Sequence, residues 1–492
     1  MYETDPPAVL ARPLSQLPTS AAALRRSGLL ASRLWLYGAA LACLAAEVVL
    51  ALRLRASPLS PRGELIAFGG PLLAAAVLLV LAQRLTGRAI RRLLIECLAF
   101  AIALVLVEVG LSGLAWVPPS RHVYHVEVAR RLGVPYDARY TSQVIADLHA
   151  RGISAYPAYA RDWLLQPWIR SRIGADAYPL AQVANSTIVE CNENGRFLIW
   201  QSDELGFNNP AGLAAQGAAN IAAVGSSYTL GHCVQPNEGY IALLRARYPH
   251  TLNFGMGGSH IATMLATLRE YVAPFKPRIV IWAMYPNAIE TWELTDPIVR
   301  SYLQPDFSQH LLARQGEMEQ RLRAQLVPIQ EQLDRDSIAA AAAAQRSRWR
   351  DVLEFPLLRE RLVPPLKALL EKPPLPEDPA QAVAIVGMAK SLVESWGGQL
   401  VVVIIPMYAE IVAGQVAPGH RHDYVARTLA PLGVHIIDGA AFFLTQKDPA
   451  MLFSLGIDGH LNVAGHRLLA DYIAADLERN YPERLSQASR PH

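Results

Sequence analysis

The sequence predicts an α/β fold: a parallel β-sheet covered on both faces by helices, preceded by three apolar helices of membrane-spanning length. Three observations carry this. Apolar runs of 18 to 25 residues are confined to the first 117 positions, short continuous apolar runs recur after residue 219, and helical patterns alternate with those short runs. The 492 residues are 52% hydrophobic and 18% charged, with a mean hydropathy of +0.18, which excludes a disordered or fibrous chain. Against 42 acidic side chains stand 45 basic ones, a formal charge of +3 that makes no electrostatic footprint for nucleic acid. Four cysteines without a C-x-x-C pair exclude a cysteine-rich metal site, and neither a metal nor an organic cofactor is implied.

Residues 1–33 read as a cytoplasmic tail and 34–117 as three transmembrane helices. Their runs are 34–52, interrupted by Glu47, 65–82, which carries no charge, and 93–117, with Glu96 and Glu108. Each is long enough to cross a ~30 Å hydrocarbon layer at ~1.5 Å per residue. The first run begins beyond residue 30 and no A-x-A-like site follows it, which argues against a cleaved signal peptide. Arg12, Arg25, Arg26 and Arg33 precede the first run and Arg84, Arg88, Arg91 and Arg92 follow the second, whereas only Arg53, Arg55 and Arg62 lie between the two. That bias places the N-terminus in the cytoplasm and, after three crossings, everything beyond Trp116 outside it.

Pro118 and Pro119 end the third run, and 118–190 reads as a juxtamembrane collar with helical patches such as 142–151. The α/β domain follows over 191–480. Its expected strands are 220–224, 251–254, 278–283, 400–405 and 434–437, with helical patterns at 241–248, 260–271 and 381–395. From 308 to 379 Gln, Arg and Glu at helical spacing, then a Pro-rich stretch, interrupt the alternation as a helical insertion or cap over the sheet. Residues 481–492 form a C-terminal tail.

The chemistry gathers at the ends of the expected strands. Gly225-Ser226-Ser227-Tyr228-Thr229-Leu230-Gly231 follows the first of them. A serine in such a turn faces the crevice where open α/β sheets place ligands, and backbone N–H groups there can meet a developing oxyanion. Asn253-Phe254-Gly255-Met256-Gly257-Gly258-Ser259 follows the second; His260 in the third-glycine position excludes a dinucleotide fingerprint, and no G-x-x-x-x-G-K-[ST] loop occurs. Tyr285-Pro286-Asn287 places an amide after the third. Asp458-Gly459-His460-Leu461-Asn462 precedes the last helix, where a carboxylate can orient an imidazole and the imidazole can take a proton from serine. Singly, each is an ordinary turn or helix cap; their order along the chain is the signal.

In that order the blocks resemble the SGNH or GDSL hydrolase superfamily over roughly 221–477. The resemblance implies a flavodoxin-like parallel sheet, Ser227 as nucleophile, His460 as general base and Asp458 as its orienter. The oxyanion hole would comprise the Ser227 and Gly258 amides with the Asn287 side chain. Ser226 stands where the family has Asp, block three lacks its Gly and Asp, and one residue rather than two separates Asp458 from His460. The Gly-Ser-Ser and Asp-x-His blocks are similar to the alginate-type O-acetyltransferase branch, which works on periplasmic polysaccharide. The implied protein is a serine acyl-transfer enzyme, an O-acyl(acetyl)transferase for a cell-envelope or exported polysaccharide. It would sit multi-pass in the bacterial inner membrane, with a periplasmic catalytic domain and a membrane partner protein donating acyl groups. A short-acyl carbohydrate esterase and a catalytically silent assembly subunit are the alternatives.

Cys191-Asn192-Glu193-Asn194-Gly195 and the stretch 202–210 are similar to a segment preceding block one in membrane-anchored bacterial members. Cys43 and Cys97 lie in the apolar runs, leaving Cys191 and Cys233 as a pair able to bridge; two buried free thiols are the alternative. His232 and His260 are expected near the crevice without a neighbouring carboxylate, and His466 on a helix surface.

Overall fold

Five apolar runs pair as one parallel sheet in the computed structural model, which describes residues 33–41, 44, 61–114, 121–217, 219–346, 379–413 and 421–486. A smaller sheet comes first in the chain, β1 (Ala155–Pro157), β2 (Thr187–Val189) and β3 (Ile199–Gln201), in which β1 runs parallel and β3 antiparallel to β2. The main strands are β4 (Ile221–Gly225), β5 (Thr251–Gly255), β6 (Ile279–Met284), β7 (Gln399–Ile404) and β8 (His435–Asp438), in spatial order β5-β4-β6-β7-β8. Each begins within one residue of its expected run. Alternate side chains fill two separate cores: Ala222, Val224, Val280, Trp282, Leu400 and Val402 on one face, Ile221, Ala223, Ile279, Ile281, Val401 and Val403 on the other. With both faces buried, a strand has no polar side to alternate, hence the continuous apolar runs.

Helices Ile261–Thr267, Pro379–Ser395 and Arg421–Leu429 cover the first face, and Tyr240–Arg247, Gly439–Leu444 and Val463–Asn480 the second. The described part of the expected insertion is the helix Gln315–Arg346, whose Met318, Leu322, Leu326 and Ile329 form one buried stripe at helical spacing. It packs against β1 and the helix Thr141–Ala150, where Asp334 accepts a hydrogen bond from Ser142 N at 2.8 Å. It also packs against the helix Pro167–Ile173, and its stripe joins the core on the first face of the main sheet.

Residues 33–114 belong to a separate unit from the described residues after 120. The unit contains helices Pro61–Arg84 and Gly87–Leu114, with Leu36, Ala82 and Ile90 buried together. Among the described residues no helix is long and apolar enough to cross a membrane, which overturns the expected three-helix anchor, its topology and the inner-membrane location. A span needs about 20 consecutive apolar residues. Helix Gly87–Leu114 instead carries Arg88, Arg91, Arg92 and Glu96 in its first ten positions, Arg92 and Glu96 being paired at 2.9 Å. The tail through residue 32, most of the first apolar run with Cys43, Pro118 and Pro119, the insertion from 347 to 378 and residues 487–492 lie outside the described residues.

Gly225 and Gly255 face each other across β4 and β5. A Cβ on Gly255 would lie 2.3 Å from Leu230 N and 2.6 Å from Thr229 C, so glycine lets β5 approach the backbone of the turn after β4. Gly255→Ala should lower the free energy of unfolding in urea by roughly 1–3 kcal/mol. A variant as stable as the wild type would contradict this packing.

Candidate active site

β4 ends at Gly225 and the chain turns at once into the short helix Ser227–Leu230, which puts Ser227 at a first helical position on the C-terminal edge of the sheet. Numbered from β4, the strand order is 2-1-3-4-5. In such sheets ligands bind outside the carboxyl ends of the first and third strands, here β4 and β6, where the winding reverses. Ser227 follows β4 by two residues, Gly258 follows β5 by three and Asn287 follows β6 by three, so the three blocks share one edge on adjacent strands.

Gly258 holds φ at +70°, and a Cβ there would meet Arg161 N and Asp162 N at 2.9 Å each, so both conformation and packing require glycine. Arg161 N donates to Gly257 O at 2.9 Å, and its buried guanidinium donates to Leu180 O and Thr267 Oγ1 at 2.8 Å each, bracing the block-two loop from outside the sheet. Asn287 is half-buried in the single turn Pro286–Ile289. Ser226, in the position where the resembled family has Asp, is buried with no hydrogen-bond partner for its hydroxyl among the described residues.

His460 arrives from the turn before the helix Val463–Asn480, with Nε2 2.9 Å from Ser227 Oγ. Its Nδ1 faces the Glu193 carboxylate at 3.1 and 3.2 Å, and Glu193 Oε2 also accepts the His460 backbone N–H at 2.8 Å. Donating Nδ1–H to a carboxylate leaves the basic lone pair on Nε2, the nitrogen beside the serine hydroxyl. This corrects the expected orienter. Asp458 lies on the exposed side of the turn, and the carboxylate at the imidazole is Glu193, which is 6% exposed. Gly459 gives it room, since a Cβ there would stand 2.9 Å from Glu193 Oε2.

Glu193 reaches the imidazole because the loop between β2 and β3 is pinned at several points. Cys191 is bonded to Cys233, three residues beyond the helix that starts with Ser227, and Asn194 Nδ2 donates to Cys233 O at 2.9 Å. On the other side Asn192 Nδ2 donates to Asp137 O at 2.6 Å, the Tyr136 hydroxyl donates to Asn192 O, and Gly195, at φ +90°, packs on Pro135 O. Ser227 and His460 are thus brought together, Gly258 and Asn287 share their sheet edge, and Asp458 is replaced by a residue the sequence reading missed. One signal pointed there: Glu190 and Glu193 flank Cys191, so a bridge to Cys233 brings both carboxylates near the turn that holds Ser227.

Three other histidines surround the site. His232, expected to lack a carboxylate, pairs through Nδ1 with Glu190 and packs its ring 4.1 Å from that of His460. His260 donates its backbone N–H to the buried Glu293 at 2.9 Å and sets Nε2 2.7 Å from the Tyr285 hydroxyl; burial lowers its pKa to about 4. His466, expected at the surface, is fully buried, and its Nδ1 accepts Tyr240 N–H at 3.2 Å. Burial first, then His460 and His232, push its pKa down to about 3. Glu193, His232, Cys233 and His460 bring candidate ligand atoms within 4.8 Å of one another, but the sulfur of that set is bonded to Cys191. What these side chains present is an oriented base beside a hydroxyl, the arrangement that activates a nucleophile.

No family model and no curated protein matches the sequence. Solved structures similar to this chain include TesA, 13% identical, covering 53% of this chain and 98% of its own, with a TM-score of 0.30. A two-domain esterase (CEX) active on acetylated mannans is 13% identical over 57% of this chain and 53% of its own, with a TM-score of 0.29. Axe2, an acetylxylan esterase from Geobacillus stearothermophilus, is 16% identical over 53% and 95%, with a TM-score of 0.29.

A histidine held neutral by burial makes stability depend on pH. Below about pH 6.5 the unfolded chain takes up a proton that folded His466 binds only near pH 3, so stability present above 6.5 is lost as pH falls. His466→Asn, which keeps an acceptor for Tyr240 N–H, should flatten the fall in unfolding free energy between pH 6 and 4 by about 1.4 kcal/mol per pH unit. An unchanged slope in urea denaturation would contradict the burial.

Proposed function

We propose that the chain is a serine ester hydrolase of the SGNH type acting on short-acyl esters of carbohydrates. Ser227 attacks the acyl carbonyl, His460 takes its proton, and Glu193 orients the imidazole and stabilises the imidazolium. The Ser227 and Gly258 amides and the Asn287 side chain receive the oxyanion. The observation supporting this is the continuous chain from Ser227 Oγ to His460 Nε2 at 2.9 Å and from Nδ1 to Glu193 at 3.1 Å. A sugar ester suits the surroundings, because the rings of Tyr285 and Trp292 both pack edge-on with His260, at 5.5 and 4.5 Å, next to the Asn287 turn, and aromatic faces stack on sugar C–H groups. Transfer to a sugar hydroxyl would pass through the same seryl ester. The Asp-x-His likeness to the O-acetyltransferase branch carries less weight where the carboxylate bonded to the imidazole is Glu193.

Wild-type protein should release acetate from acetylated xylooligosaccharides, and Ser227→Ala should lower that rate by at least about 10⁴. Acetyl-sugar formed from p-nitrophenyl acetate at the expense of acetate release would identify a transferase instead. Activity retained by Ser227→Ala would overturn the reading.

A further inference from the structure

Gly231, at φ +90°, closes the nucleophile helix and folds the next residue back, so that His232 N donates to Ser227 O at 3.0 Å. The His232 ring then pairs through Nδ1 with Glu190, whose second oxygen accepts Trp200 Nε1–H at 3.1 Å, fixing the carboxylate at both ends. The pair duplicates the one beside it: an imidazole whose Nδ1 faces a buried glutamate of the same loop, with ring centroids 4.1 Å apart. Their side chains are similarly exposed, His232 at 21% and His460 at 15%. One disulfide holds both pairs, because Cys191 lies between Glu190 and Glu193 and Cys233 adjoins His232. Tyr228 and the buried His466 are further titratable groups beside the two rings, and Asp458 stands two positions before His460. A histidine kept only for folding has no need of this place.

We propose that His232, paired with Glu190, is a second acid–base group that handles the proton of the alcohol while His460 handles that of Ser227; the inference rests on the seryl-ester reading above. In acylation the Ser227 proton passes to His460 as the Oγ–C bond forms, and protonated His232 gives its proton to the departing alkoxide as the C–O bond breaks. In deacylation neutral His232 takes the proton of water or a sugar hydroxyl as that oxygen bonds to the acyl carbon. The bond to Oγ then breaks, and His460 returns its proton to Ser227. Before acylation and in the seryl ester one positive charge resides on the two rings; in each tetrahedral intermediate both are charged, and each ring faces its own carboxylate. With a single imidazole the same nitrogen must serve both oxygens in turn.

The test separates the two protons by leaving group. A p-nitrophenolate departs without a proton, whereas the alkoxide of an acetylated methyl glycoside needs one. His232→Gln in the full chain should slow the acylation burst with p-nitrophenyl acetate less than about tenfold, and turnover of the acetylated glycoside by roughly 10²–10⁴. Burst amplitude counts working sites, so a poorly folded fraction does not distort either rate. Glu190→Gln should give the same inequality with a smaller loss. Equal losses on both substrates would make His232 a support for His460 and overturn the proposal, as would no loss on either. A burst that survives Ser227→Ala would instead defeat the seryl-ester reading beneath it.

Discussion

The bond from Cys191 to Cys233 closes a separation of 42 residues, and the position of the loop between β2 and β3 follows from it. Those strands are three residues each, too short to hold a charged loop against the main sheet by backbone pairing alone. In the chain-entropy account a bridge over that length removes roughly 4 kcal/mol of freedom from the unfolded chain. Asn192, Asn194 and Tyr136 then fix the loop by hydrogen bonds on both flanks. The bridge therefore does more than stabilise: it carries two carboxylates across the fold to two imidazoles that the main sheet alone leaves without them.

Burying a carboxylate is costly unless its oxygens find donors. Glu193 meets that condition with the backbone and ring N–H groups of His460, and Glu190 with His232 and Trp200. The same bonds that offset desolvation set the imidazoles' tautomers, so what makes the loop stable and what makes Nε2 basic are one interaction. The sheet supplies the complementary rigidity. β4 is buried along its whole length, and its glycine neighbours let β5 and the Ser227 turn close on each other with no side chain between them.

The strands were legible because a strand buried on both faces leaves an uninterrupted apolar run, and the serine, glycine and asparagine blocks were legible because they stand where those runs end. Glu193 was not, since it lies 267 residues from His460 and no periodicity links them; only the cysteine between the two glutamates hinted at it. Asp458 misled through closeness in sequence: two positions along a turn do not decide which side of it a carboxylate takes. His466 was legible and overlooked, because it shares one helical face with the buried Leu469, Ala470, Ile473, Ala474 and Leu477. The apolar runs before residue 118 fixed a composition, whereas a membrane span also requires a helix long and apolar enough, which no described helix is.

The claim on which the rest stands is that Glu193, delivered by the bridged loop, completes the pair at Ser227. Turnover of p-nitrophenyl acetate by Glu193→Gln and Asp458→Asn, measured side by side, tests it most directly. The account predicts a fall of roughly 10²–10⁴ for Glu193→Gln, as when an imidazole loses its orienting carboxylate, and a change within about threefold for Asp458→Asn. The reverse pattern, with Glu193→Gln near wild type and Asp458→Asn inactive, would contradict it.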